Sequence, residues 1–393
     1  MLTEETKSNQ DKNSALIINL NEEYKIKIES GNEFDNSIFR TVYYDALKNV
    51  EEIIEQSQKN TLSKYDDYNN IIAFTGERGK GKSSSMISFR DALTEKHLDK
   101  HKDFFIGNKT INDKKFATIE IVDPSLFRGG ESLFEIILAQ MFQKFQQQIK
   151  QPDSELSNEN RRIIIKLFQE VFENLQIINS DRSELYKMES IEALSRLATS
   201  SNLRKCFKKL VSSFLKTFEN GSDFLLIAID DFDLNIYDVY TMLEDIRQYL
   251  IQSNIILLVA CKIDQLNEMV RVKLSETKLT FELEKKAEKY LEKLFPQHRK
   301  ITLPNILVSE KSTIIYIGDN KDLGNNDIKN ILNEKYNEIC HLLISENKLF
   351  IGNNPKSSIN ESIYKISKLF INTLELRQNT FFPDNLRGII NIL

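Results

Sequence analysis

Two stretches of the chain are apolar throughout, 224–229 (FLLIAI) and 255–261 (IILLVAC), and each ends abruptly in charge. The first runs into Asp230 and Asp231, the second into Lys262. Runs of this length without alternation mark strands buried on both faces, as in a parallel sheet covered by helices. Shorter apolar runs predict further strands at 71–75, 116–122 and 300–303. Helical patterning fills the intervals. It predicts helices at 82–97, with Met86, Ile87, Phe89 and Leu93 as the apolar positions, at 131–148 and 236–251, and onward to Leu294. The segment 150–220 reads as a helical insertion. Strand and helix alternate, so the expected fold class is α/β, a central parallel sheet flanked by helices.

Outside this core, residues 1–14 are polar and expected to be disordered, and 15–29 alternate in two short runs around Asn21 and Glu22, a candidate hairpin. A helix is expected over 36–58, with Ile38, Val42, Leu47, Val50 and Ile54 on one face. The chain thus divides into an N-terminal extension (1–60), a core (61–305) and a C-terminal helical lid (306–393). It stops at Leu393 in or just after an apolar helix with no Gly or Pro terminator, and we read it as a fragment that continues into further sequence.

Composition sharpens one feature of this pattern. The chain holds only 12 Gly and 6 Pro among 393 residues, which disfavours turn-dense all-β and linker-rich folds. Yet three of those glycines, Gly76, Gly79 and Gly81, fall in one loop between a predicted strand and a predicted helix. The loop reads Gly76-Glu77-Arg78-Gly79-Lys80-Gly81-Lys82-Ser83-Ser84, a full match to the Walker A pattern. Consecutive N–H groups of such a loop curl inward on phosphate oxygens, which needs backbone conformations that glycine tolerates, and the helix start adds partial positive charge. Lys82 would reach the β and γ phosphates, and Ser83 would place a hydroxyl on Mg²⁺. A mere glycine turn before a helix explains neither side chain.

The acidic pair that ends 224–229 is the second element such a site needs. A buried strand delivers carboxylates to its C-terminal edge, where ligands of parallel sheets bind. Asp230 would hold Mg²⁺ through its water shell beside Ser83, and Asp231 would orient or polarise an attacking water. Helix capping is an alternative use for these aspartates, and the two roles can coexist. The segment 123–130 (DPSLFRGG) ends another predicted strand on the same edge, where Asp123 and Arg128 could contact a nucleotide-coupled partner; a simple turn before the helix at 131–148 is the alternative.

Charge and cysteine usage narrow the setting. Net charge is −5 from 53 basic and 58 acidic residues, so no global field draws the protein to nucleic acid. The basic runs at 204–209 (RKCFKK) and 284–293 (EKKAEKYLEK) read by default as solvated helix faces, which leaves nucleic-acid contact open. Cys206, Cys261 and Cys340 form no Cys-x-x-Cys pair, and His97, His101, His298 and His341 have no metal-ligand spacing. The compartment is read as reducing and cytoplasmic. The longest apolar runs fall far short of the ~18 residues a membrane span needs, so no membrane association is expected.

Taken together, GERGKGKS, LLIAIDDFD, NIILLVACKID and YLEKLFPQHRKITLP (290–304) resemble the additional-strand P-loop ATPases of the AAA+ and STAND group, most of all the KAP-type NTPases. The resemblance covers roughly 60–393. It implies the strand order 5-1-4-3-2, with the strand at 255–261 inserted between those carrying the two Walker motifs. It also implies a polar γ-phosphate sensor after that strand, for which Lys262 is the candidate against a plain loop charge. A lid with a basic second sensor is implied too, matched by Arg387 in FFPDNLRGIINIL. Arg271, Lys293 and Arg299 are the arginine-finger candidates, and the residues do not separate them. The chain departs from the family's membrane-inserted members, because its insertion is polar and helical. With no Asn/Thr-Lys-x-Asp base-reading motif, ATP is the default nucleotide. The resemblance further implies an Mg-ATP-dependent homo-oligomer acting with an effector protein, similar to the ATPase component of RADAR-type antiphage defence systems. A nucleic-acid-remodelling or loading ATPase is the alternative.

Overall fold

The computed structural model describes residues 15–19, 34, 39–60, 69–127, 132–150, 157–179, 202–219, 221–235, 238–276, 282–304, 313–317 and 323–327. In chain order the elements are β1 (Ala15–Asn19), α1 (Arg40–Asn60), β2 (Ile71–Thr75), α2 (Lys82–Thr94) and β3 (Phe116–Thr118). Next come α3 (Leu133–Ile149), α4 (Asn158–Asn179), α5 (Leu203–Ser213), β4 (Phe224–Ile229) and α6 (Val239–Asp245). The last are β5 (Ile255–Cys261), α7 (Ile263–Ser275), α8 (Leu283–Leu294), β6 (Lys300–Thr302), β7 (Thr313–Ile317) and β8 (Leu323–Asp327). Short helical turns link α2 to β3, and α5 and α6 each run on into one π-helical turn, Phe214–Phe218 and Ile246–Leu250.

The main sheet has the order β3-β4-β5-β2-β6, and every pairing in it is parallel. Numbered by their own sequence, these five strands run 5-1-4-3-2 from the β6 edge, as the resemblance implies. The apolar runs explain why β5 and β4 occupy the interior. Every residue of both strands is buried, with Leu225, Ile227, Ile229, Leu257 and Val259 on one face and Leu226, Ala228, Ile256, Leu258 and Ala260 on the other. The first face packs against α3 to α8, through residues such as Phe134, Phe168, Phe207 and Leu291. The second is covered by α1 and α2 through Val42, Val50, Ile54, Met86 and Phe89. Burying each such side chain contributes about 1.5–3 kcal/mol, so the two faces anchor the strand ends on which the site is built.

Two polar residues inside this core, Asn70 and Arg299, donate to backbone carbonyls. The Asn70 side chain, fully buried at the start of β2, donates to the carbonyls of Leu250, Gln252 and Ile255, at 3.0, 3.2 and 2.8 Å. It thereby fixes where β5 enters the sheet beside β2. Arg299 precedes β6 and is 1% exposed; its Nη1 donates to the Asn49 carbonyl and side-chain oxygen at 2.8 and 2.9 Å, beside Glu52. This corrects its candidacy as an arginine finger, because a guanidinium held in the interior against α1 is not presented to a neighbouring subunit. Burial holds its pKa below the usual arginine value.

Other departures are local. The strand expected over 116–122 closes at Thr118, and Val122 returns as a single parallel bridge to Ile229. The helix expected to reach 97 ends at Thr94, where the Glu95 N–H still bonds the Asp91 carbonyl. In the stretch expected as a helical lid, 313–317 and 323–327 are strands; β1 pairs in parallel with β7, and β7 antiparallel with β8. The expected hairpin arm at 15–19 therefore finds its partner nearly 300 residues away. Its second arm lies outside the described residues. No helix among the described residues is long and apolar enough to cross a membrane.

Candidate functional site

The site forms where β2, β4 and β5 end side by side, at the C-terminal edge of the sheet. Thr75 closes β2, and the phosphate loop turns from it into α2. The loop needs its glycines. Gly79 and Gly81 have φ of 85° and 90°, left-handed values at which a side chain would strain the backbone. Gly81 serves as N-cap of α2 and its carbonyl accepts from the Ser85 N–H at 2.9 Å, so the helix begins at Lys82, with Ser83 and Ser84 in its first turn. Lys82 is buried and folds back over the loop, its ammonium donating to the carbonyls of Gly76 at 2.9 Å and Glu77 at 3.3 Å. Glu77 and Arg78 are exposed at the tip, and Lys80 is half-buried.

Asp230 follows β4 and is 1% exposed. Its N–H donates to the Val122 carbonyl at 2.8 Å, which locks the acidic turn onto the segment after β3. Its side-chain Oδ1 accepts the Asp231 N–H at 3.0 Å. Asp231 has a left-handed backbone, φ 46°, unusual for any residue but glycine and tolerated best by Asn and Asp. Burial, then the charges of Asp230, Asp123 and Asp233, push its carboxyl pKa up, and Lys82 pulls the other way. The phosphate-loop lysine and the acidic turn are therefore within electrostatic reach. Asp123 itself caps a short turn through the Ser125 N–H at 3.0 Å, the turn reading of that segment; Arg128 lies outside the described residues.

Lys262 follows β5, and its ammonium lies 2.7 Å from the Glu77 carboxylate on the phosphate loop. This hydrogen bond lowers the Glu77 pKa and raises that of Lys262. Sequence marks Glu77 as a phosphate-binding loop position, with no role for its side chain, whereas a second residue here is not singled out. Asp233, the third aspartate of FLLIAIDDFD, is 5% exposed, and its Oδ1 accepts the Lys262 N–H at 2.9 Å. The signal for it was in plain view, an acid two positions beyond the pair. Arg387 lies outside the described residues.

A glycine loop entering a helix, a buried lysine folded over it and an acidic turn one strand beyond the inserted β5 define a P-loop NTPase of the additional-strand type. More narrowly, the chain belongs to the KAP family: the KAP family P-loop domain matches residues 43–348. No curated protein matches the chain. Among solved structures, C. elegans PCH-2 is similar at 13% identity over 89% of this chain and 67% of its own, with a TM-score of 0.25, too loose a superposition to carry an argument.

Proposed function

We propose that the chain is an Mg-ATP-dependent ATPase that assembles into a homo-oligomer and whose binding and hydrolysis of ATP drive assembly or switching of an effector partner. The observation that carries this reading is Lys82, a buried ammonium directed at the loop's own carbonyls within electrostatic range of the Asp231 carboxyl. ATP phosphates would lie against the backbone N–H groups from Glu77 to Ser84, with Lys82 on the β and γ phosphates. The donor set beside them suits Mg²⁺: a Ser83 hydroxyl in the first turn of α2 and the Asp230 carboxylate are hard oxygens, the ligands this ion prefers. When bound, the ion would neutralise charge on the phosphate oxygens. Asp231 would orient the attacking water and take its proton at the carboxylate. Lys262 would place positive charge on the γ-phosphate, and Arg387 would act as the second sensor from the C-terminal region.

A defensive role against phage rests on the resemblance to RADAR-type components and on no site residue. The test of the core reading is turnover of Mg-ATP by the purified protein, with particle size measured with and without a nonhydrolysable ATP analogue. Lys82→Ala and Asp231→Ala should each abolish turnover. Wild-type rates in both would overturn the site assignment, and an unchanged size would overturn nucleotide-driven assembly.

A further inference from the structure

The geometry points to Asp233 as a positioning residue for Lys262, acting through that residue's backbone. The inference rests on the ATPase reading above and adds a residue that reading does not use. Lys262 lies between β5 and α7 with an extended backbone, and three contacts converge on this junction. Asp233 Oδ1 accepts the Lys262 N–H at 2.9 Å, the Asp233 carbonyl accepts from the Gln265 side chain at 2.9 Å, and the Lys262 ammonium reaches Glu77 at 2.7 Å. The N–H of a helix N-cap has no partner within the helix, so the carboxylate supplies one from outside. Asp233 is 5% exposed, whereas the Lys262 side chain is one-third exposed and has several rotatable bonds. The rigid end of the lysine is thus the backbone end, and Asp233 holds it. By this bond the acidic turn after β4 sets where the ammonium after β5 meets the phosphate loop after β2. All three strand ends are coupled through one residue.

The experiment is a double-mutant cycle on kcat and KM for Mg-ATP in the full chain, with Asp233→Ala, Lys262→Ala and the pair. Asp233→Ala should lower kcat about tenfold or more with KM within about twofold, the signature of an interaction made in the transition state. In the Lys262→Ala background the same change should cost almost nothing, because residues acting as a unit are non-additive. Asp233→Asn, which keeps an oxygen for the Lys262 N–H, should retain kcat within about threefold. Additive losses, or full activity of Lys262→Ala, would overturn the inference. If Asp233→Ala fails to fold, Asp233→Leu in both Lys262 backgrounds takes its place, and equal losses in the two backgrounds count against the inference. Failure of the ATPase reading looks different: Lys82→Ala then turns over at the wild-type rate.

Discussion

Lys262 just after β5 and Glu77 at the tip of the phosphate loop form an ion pair 2.7 Å long across two neighbouring strands. Both side chains are partly exposed, 33% and 57%, so the pair contributes little to stability. Its consequence lies in competition. A carboxylate on the loop repels an incoming polyphosphate and occupies the ammonium proposed to receive it. Glu77→Gln should therefore lower KM for Mg-ATP by roughly threefold to tenfold, the range of one modest charge interaction. Initial-rate measurements at two salt concentrations check this, the gain shrinking at high salt.

Asp231 should set the acid limb of activity. Its carboxyl titrates above the ordinary 3.8, burial being the main cause and the neighbouring aspartates adding to it. As a base it works only when ionised, so kcat/KM should fall as pH drops through a value above 3.8, higher than for an exposed aspartate. Asp231→Asn should remove turnover and the limb together.

The same substitution should stabilise the fold. Because the folded-state pKa is raised, folding favours the protonated form, and stability is lost as pH rises from the unfolded to the folded pKa. Above that window the ionised group destabilises the fold, burial and the neighbouring aspartates being the cause. Asn removes the charge and tolerates a φ of 46°, so Tm at neutral pH should rise by ~1–3 °C in calorimetry.

Arg299 separates structural from catalytic arginines. Arg299→Ala empties the interior between β6 and α1 and strips Asn49 of its partner, at a cost of about 2–4 kcal/mol in urea unfolding. Lys should not rescue it, since an ammonium lacks the planar fork. Below the melting transition, KM for Mg-ATP should stay near the wild-type value. An arginine finger would do the reverse, leaving the fold intact and losing kcat.

Asn70→Leu should cost about 3 kcal/mol, measured by the same unfolding curve. It leaves three buried carbonyls, those of Leu250, Gln252 and Ile255, without the donor they share.

What was legible in the sequence follows from where burial is symmetrical. The strands 71–75, 224–229 and 255–261 emerge at their observed limits, because a strand apolar on both faces leaves no ambiguity of register or face. The loop from Gly76 to Ser84 was equally plain, since its backbone demands glycine at fixed places. Edge strands were less so: β3 and β6 span three residues each, and their ends depend on single hydrogen bonds, such as that from the Val122 N–H to Ala228. Arg299 read as an arginine-finger candidate because its structural partner, Asn49, lies 250 positions earlier. Asp233 was overlooked for a related reason, as its role depends on a backbone N–H that no side-chain pattern encodes.

The inserted position of β5 has a consequence for synthesis. Among the described residues β2, which carries the phosphate loop, pairs with β5 and β6, whose residues lie beyond 254 and 299. A growing chain that has produced the whole of 71–84 therefore has a glycine loop but no sheet to hold it. The nucleotide pocket cannot mature until the ribosome has passed Thr302, and until then the apolar runs at 71–75 and 224–229 wait without their middle strand. Such distant pairing is slow and leaves sticky segments exposed. The protein should thus depend on chaperones during translation, and shortened chains ending before Ile255 should accumulate as aggregates with no affinity for nucleotide.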